Sequence, residues 1–265
     1  MTNVRLLTKM KNPVLRLQNY IGTQGLFVRD SVALVGRVFF ALPVIVKWPV
    51  RKALLKQLYF TGIQSVGPIG VMGFLAGLIM VMQVSNLVGR NELLTLQVLI
   101  WTVVRELGPL LTAIVIVGRS SSAIASELAA MRVNGEIKNL QRMGISPVSY
   151  LVVPRMVAMT VTGAVLTFYF QVVAIGTGMA VTAWNIDVSL LGEVGHFFEM
   201  LSYLELFAAL LKSICFGMLV SVVSCYYGLT VKRAMTEIPV AASRAVMRSL
   251  LAVFACDGLI TVLVF

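Results

Sequence analysis

Charge is what this chain has least of. Asp, Glu, Lys and Arg together make up 12% of its 265 residues against 58% hydrophobic residues, with a mean hydropathy of +0.92. A soluble domain of this length cannot cover its surface with so few charges, which leaves an integral membrane protein of one domain. Histidine is nearly absent: His196 stands alone, without neighbours at metal-ligand spacing, and reads as a surface residue. The three cysteines, Cys215, Cys225 and Cys256, fall in apolar segments with no CxxC, so neither a disulfide framework nor a metal site is supported. The phosphate-binding loop GxxxxGKS/T is missing, so any ATP hydrolysis must come from another subunit. No catalytic constellation, alternating strand pattern, long low-complexity segment or internal repeat is present, and no cofactor is expected. The N-terminal residues lack an apolar core followed by a small-residue cleavage site, so no signal peptide is expected.

Acids are the scarcer charge, 11 against 22 Lys and Arg, for a net +11. In a soluble protein that excess would suggest nucleic acid, but the placement of the basic residues argues against it. Residues 1–57 hold ten of them (Arg5, Lys9, Lys11, Arg16, Arg29, Arg37, Lys47, Arg51, Lys52, Lys56) beside one acid, Asp30. Arg119, Arg132, Lys138, Arg142 and Arg155 flank a central polar segment, and Lys232, Arg233, Arg244 and Arg248 flank a later one. Only Arg90 falls in a loop of the opposite set, whereas the loop from Asn185 to Tyr203 carries Asp187, Glu193 and Glu199 with no basic residue. Basic loops on one side and acidic loops on the other follow the positive-inside rule and place the N-terminus in the cytoplasm.

This alternation predicts five spans, at about Leu58 to Val88, Leu94 to Arg119, Val148 to Ala183, Glu205 to Leu229 and Ala245 to Phe265. The fold class is therefore an all-α integral membrane protein with a cytoplasmic N-terminus and an external C-terminus. Residues 1–57 form an interfacial N-terminal segment, in which Leu15 to Val46 reads as an amphipathic elbow helix, and 58–265 form the spanning domain. Trp48, Tyr59 and Trp184 suit interfacial belts. The first span is rich in glycine (Gly62, Gly67, Gly70, Gly73, Gly77), and Gly73-x-x-x-Gly77 fits close helix packing, either within the chain or across a dimer.

Between the second and third spans lies the stretch that organises the rest. After Arg119 come three serines, and Ile124, Leu128 and Met131 then recur at helical spacing beside Glu127, Arg132 and Glu136. The pattern predicts a short amphipathic helix within about residues 120–143, with serines capping its start and Asn134-Gly135 at its end. Periodicity leaves two uses open: a helix resting on lipid headgroups, or one docking into a groove on a cytoplasmic partner.

The residue identities are more specific. Arg105-Glu106-Leu107-Gly108-Pro109, then Leu111-Thr112-Ala113, Gly118-Arg119, Ser122 to Leu128, Met131-Arg132-Val133, Glu136-Ile137, Met143-Gly144-Ile145-Ser146-Pro147 and Tyr150 to Arg155 closely resemble the MlaE family of ABC-transporter permeases. The resemblance is strongest over residues 94–160 and extends more weakly from Gly62 to the C-terminus. It implies a homodimeric permease in the bacterial inner membrane, driven by cytoplasmic ABC ATPase subunits. It also implies a periplasmic MCE-domain protein, a small cytoplasmic STAS-type subunit and phospholipid as partners, with no nucleic acid. In that picture Ser122, Glu127, Leu128, Met131, Arg132 and Glu136 couple to the ATPase. One departure stands out, at Thr236 to Ser243, where many members carry a glycine-rich loop.

Charges inside the spans mark the candidate site, because they are costly there and face protein or water. Counting rise per residue from the outer ends puts Lys212 about 10 Å deep, Asp257 about 12 Å and Arg105-Glu106 about 17 Å. Two uses are open: ion pairing that holds the helices together, or an outward cavity in which Arg105 and Lys212 attract an anionic headgroup. The family resemblance places Arg105, Glu106 and Lys212 near a lipid cavity. Gln83, expected to point inward, and Asp257 complete the candidate lipid-binding set, with Met72, Met80 and Met82 as an apolar wall. The leading expectation is a lipid permease. The alternatives are a stand-alone secondary transporter using Glu106 and Asp257 as ion or proton sites, and a membrane anchor that transports nothing.

Overall fold

The computed structural model describes residues 29, 33–38, 41–88, 92–186, 195, 200–232 and 234–264. The elbow helix falls largely outside these residues, as do the loop charges Arg90, Asp187, Glu193 and Glu199 and the lone His196. Among the described residues every regular element is helical. Five helices among the described residues are long and apolar enough to cross a membrane: α1 (Trp48–Asn86), α2 (Gln97–Val133), α4 (Val148–Ala183), α5 (Tyr203–Leu229) and α6 (Glu237–Val264). The short helix α3 (Glu136–Arg142) joins α2 to α4.

Two helices reach further than their hydropathy indicated. α1 begins at Trp48, ahead of the expected start at Leu58, because Trp48-Pro49 supplies a helix start with Pro in the first turn. Trp48 and Tyr59 remain exposed, as interfacial residues would be. α2 does not stop at Arg119 but runs on to Val133. Its serines do not cap a new helix. Ser121 is helical and makes no capping bond, and the Ser122 hydroxyl donates back to the Gly118 and Arg119 carbonyls. The real break comes at Asn134-Gly135, where Gly135 takes φ +79°, a left-handed conformation that glycine adopts without strain.

Three of these helices contain wider π-helical turns: Tyr59–Ile63 in α1, Ile100–Leu107 and Val117–Ser121 in α2, and Val148–Val152 in α4. Three of the four lie shortly before a proline, Pro68, Pro109 or Pro154. A proline within a helix removes one donor and crowds the preceding turn, and a locally widened turn accommodates it.

α5 is the central post, packed against α4, α6 and the second half of α2, while α1 lies along α4. Small residues set the closest approaches. A Cβ on Gly73 would come within 3.1 Å of the Phe170 carbonyl oxygen, and one on Gly77 would collide with the Ala174 backbone. The Gly73-x-x-x-Gly77 stripe therefore serves packing of α1 on α4 within one chain.

Candidate functional site

The buried charges come together on one cation. Lys212, in the middle of α5, is fully buried, and its ammonium donates to Glu106 Oε2 at 2.7 Å and to the Arg105 carbonyl at 3.2 Å. Asp257 Oδ1 on α6 lies 2.9 Å from the same Nζ. Glu106 also pairs with Arg105 Nε at 3.3 Å and accepts a hydrogen bond from Thr261 Oγ1 at 3.3 Å. One lysine thus clamps α2, α5 and α6, by two hydrogen bonds to α2 and by an ion pair with Asp257, whose Oδ1 has no hydrogen-bond partner among the described residues.

The motif Arg105 to Pro109 explains why the cation fits here. Pro109 has no N–H to offer the Arg105 carbonyl four residues back, and Lys212 Nζ supplies a donor instead. The preceding carbonyl, Val104, accepts from Gln171 Nε2 of α4 at 3.0 Å. Gln171 is buried, and sequence reading missed it, since one Gln in a long apolar span gives no spacing signal. Gly108 makes room for it: a Cβ there would lie 2.9 Å from Gln171 Cγ.

Exposure divides the cluster. The Lys212 side chain is 0% exposed and Asp257 15%, whereas Arg105 and Glu106 keep 27% and 33%. A ligand can therefore reach Arg105 and Glu106 before it can reach Lys212. Close by, Glu205 in the first turn of α5 is buried beside Trp101 and Arg105, and its Oε2 has no hydrogen-bond partner among the described residues. An acid in the first turn of a helix is so ordinary that the sequence drew no attention to it. Gln83 does not join this group. It lies exposed on α1, so the expected inward orientation is not found within the single chain.

A second tie between the same three helices lies further along α2. Ser224 Oγ of α5 donates to Ser121 Oγ of α2 at 2.8 Å, and Ser121 lies 3.4 Å from Ser249 Oγ of α6. All three are buried, in keeping with hydroxyls that join helices where water is scarce. From Glu106 to Ser121 is about 22 Å of helix rise.

The candidate coupling residues fall on different faces. Leu128 is fully buried against the bundle, with Ile124 and Ala125, and a Cβ on Gly228 of α5 would press within 2.7 Å of Leu128 Cβ. Glu127 is exposed and bound to Arg155 Nη2 of α4 at 2.7 Å. Arg132 reaches across to the Val231 carbonyl at 3.2 Å, Ser122 bonds its own helix, and Met131 is half-buried. Glu136 opens α3, and Met143, at the end of that helix, is 65% exposed. Arg119, expected at an aqueous edge, donates to Ser65 Oγ at 3.0 Å and to Gln64 and lies over the Phe60 ring, tying α2 to α1.

Comparison with known proteins agrees with this architecture. The family description Permease MlaE matches residues 54–263. A probable ABC transporter permease protein of Rickettsia prowazekii is 28% identical over 95% of this chain and 99% of its own length. A probable ABC transporter permease protein of Synechocystis is 30% identical over 81% of this chain and 82% of its own. The intermembrane phospholipid transport system permease protein of Haemophilus influenzae is 27% identical over 93% of this chain and 98% of its own.

Proposed function

The chain belongs to the MlaE permease family, as a multi-pass membrane subunit of the ABC transporter kind, and we propose that it moves phospholipid between the inner membrane and an external MCE-domain partner. The observation that carries this reading is the continuity of α2. One helix runs from the Arg105-Glu106 pair, through the Ser121 tie, to the edge of the exposed α3. Force applied at α3 by a cytoplasmic ATPase would cross the short Asn134-Gly135 turn and then pass along this one helix to the buried charges.

Within this reading Arg105 and Glu106 meet the headgroup, because they are the accessible members of the cluster. A guanidinium suits a phosphate. Lys212 acts as a positioning residue, holding Glu106 and Asp257 in place. The apolar outer faces of α1 and α6 are available to lipid and to a second copy of the chain, and the homodimer implied by the resemblance would use them. The positive-inside rule puts α3 and the N-terminus in the cytoplasm and the end of α6 outside.

Reconstitution tests the proposal directly. The chain with its ATPase and MCE partner in liposomes should transfer a fluorescent phospholipid in an ATP-dependent manner, and Arg105→Gln should slow that transfer. Transfer that follows an ion gradient and ignores ATP would replace this reading with secondary transport through Glu106 and Asp257.

A further inference from the structure

A second candidate site lies about 30 Å along α2 from the Lys212 cluster, counting the rise from Glu106 to Glu127. There the first turns of α1, the far half of α2 and the start of α4 line an open cavity of about 920 Å³. This is within the size range of small-molecule sites. Its lining is basic: among the described residues Lys52, Lys56 and Arg155 are opposed by Glu127 alone.

Arg155 shows that the charge there is incompletely matched. It is 6% exposed, its Nη2 holds Glu127 at 2.7 Å, and its buried Nη1 has no hydrogen-bond partner among the described residues. A buried donor without an acceptor is costly, and an oxyanion that takes the place of Glu127 on the guanidinium would be drawn by that unmatched charge. The cavity also lies where an aromatic belt would sit. Trp48 is exposed on its rim with Lys52 Nζ 4.2 Å from the ring centroid, and Tyr150 faces the same space. Basic pockets between spanning helices at this depth match anionic lipid headgroups in charge and height.

We propose that this cavity binds the headgroup of an anionic phospholipid from the adjacent leaflet, its phosphate held by Lys52, Lys56 and Arg155. The site is separate from the transport cluster and independent of the transport reading. Because Arg155 also clasps Glu127, an occupying phosphate competes with that carboxylate and loosens the hold of α4 on the far end of α2. Bound lipid would thereby reach the segment that leads into α3.

The test uses the full-length chain alone in detergent, with dioctanoyl phosphatidylglycerol titrated against its thermal unfolding. Saturable stabilisation is expected. Dioctanoyl phosphatidylcholine should bind about tenfold less tightly or worse, and inorganic phosphate at the same concentrations should give no shift. Lys52→Ala with Lys56→Ala should weaken phosphatidylglycerol about 30-fold, from two exposed charges near a phosphate. Glu127→Gln, which removes the competing anion, should tighten it severalfold, a gain that misfolding cannot mimic. Equal affinity for the two lipids, equal action of inorganic phosphate, or an unchanged double lysine variant would each overturn the assignment. It would also fall if the double variant lost a co-purifying protein while keeping its phosphatidylglycerol affinity, since the surface would then be a protein-docking face.

Discussion

Replacing Lys212 with Met keeps the length of the side chain and removes its charge, leaving Glu106 and Asp257 without the cation that faces both. Three contacts are lost, at 2.7, 2.9 and 3.2 Å. Breaking a buried pair by removing one partner costs about 3–5 kcal/mol. Glu106 is a third exposed, so water recovers part of its charge and the expected cost lies toward the lower figure. That is still several times the ~0.6 kcal/mol of an average hydrogen bond between membrane helices. Equilibrium unfolding in mixed micelles of mild detergent and dodecyl sulfate would read the difference. A triple variant, Glu106→Gln, Lys212→Met and Asp257→Asn, should recover most of the loss, because both carboxylates that faced the lysine are neutral, while Arg105 is partly exposed and keeps Glu205 nearby. A Lys212→Met protein within about 0.6 kcal/mol of the natural one, or a triple variant as unstable as the single, would refute the clamp.

Other substitutions separate packing from docking. Gly77→Leu would drive a side chain into the Ala174 backbone and should destabilise the contact of α1 with α4 by about 1–3 kcal/mol or prevent folding, read by thermal unfolding in detergent. Ser224→Ala should cost about 0.6 kcal/mol by the same assay, since it removes one hydroxyl tie between α5 and α2. Met143→Asp lies on an exposed turn and should change stability by less than ~0.5 kcal/mol while abolishing capture of the ATPase; retained capture would move docking elsewhere. Glu127→Lys is a less selective probe of docking, because it also sets a second cation against Arg155.

The five spans were legible because apolar runs of that length have few alternatives, and the expected range for α4 agrees with the observed one. The extension of α2 was hidden by composition. Polar residues after Arg119 lowered the hydropathy, yet Ser122 bonds to its own helix and Ser121 to Ser224 and Ser249, so the backbone continues. The charged residues were found one by one, but their gathering on Lys212 depends on the rotations of α2, α5 and α6, which no local pattern encodes. Gln171 and Glu205 escaped for a related reason: their importance comes from the Val104 carbonyl and from burial beside Trp101, both supplied by other helices. The Gly73-x-x-x-Gly77 stripe was visible, but its partner α4 was not.

The measurement that tests the central claim most directly is affinity purification of the chain from its native membrane in gentle detergent, with mass spectrometry of the proteins and lipids that accompany it. An ABC ATPase and an MCE-domain protein together with bound phospholipid are the expected result. Repeated recovery of the chain alone, free of ATPase and phospholipid, would contradict the account.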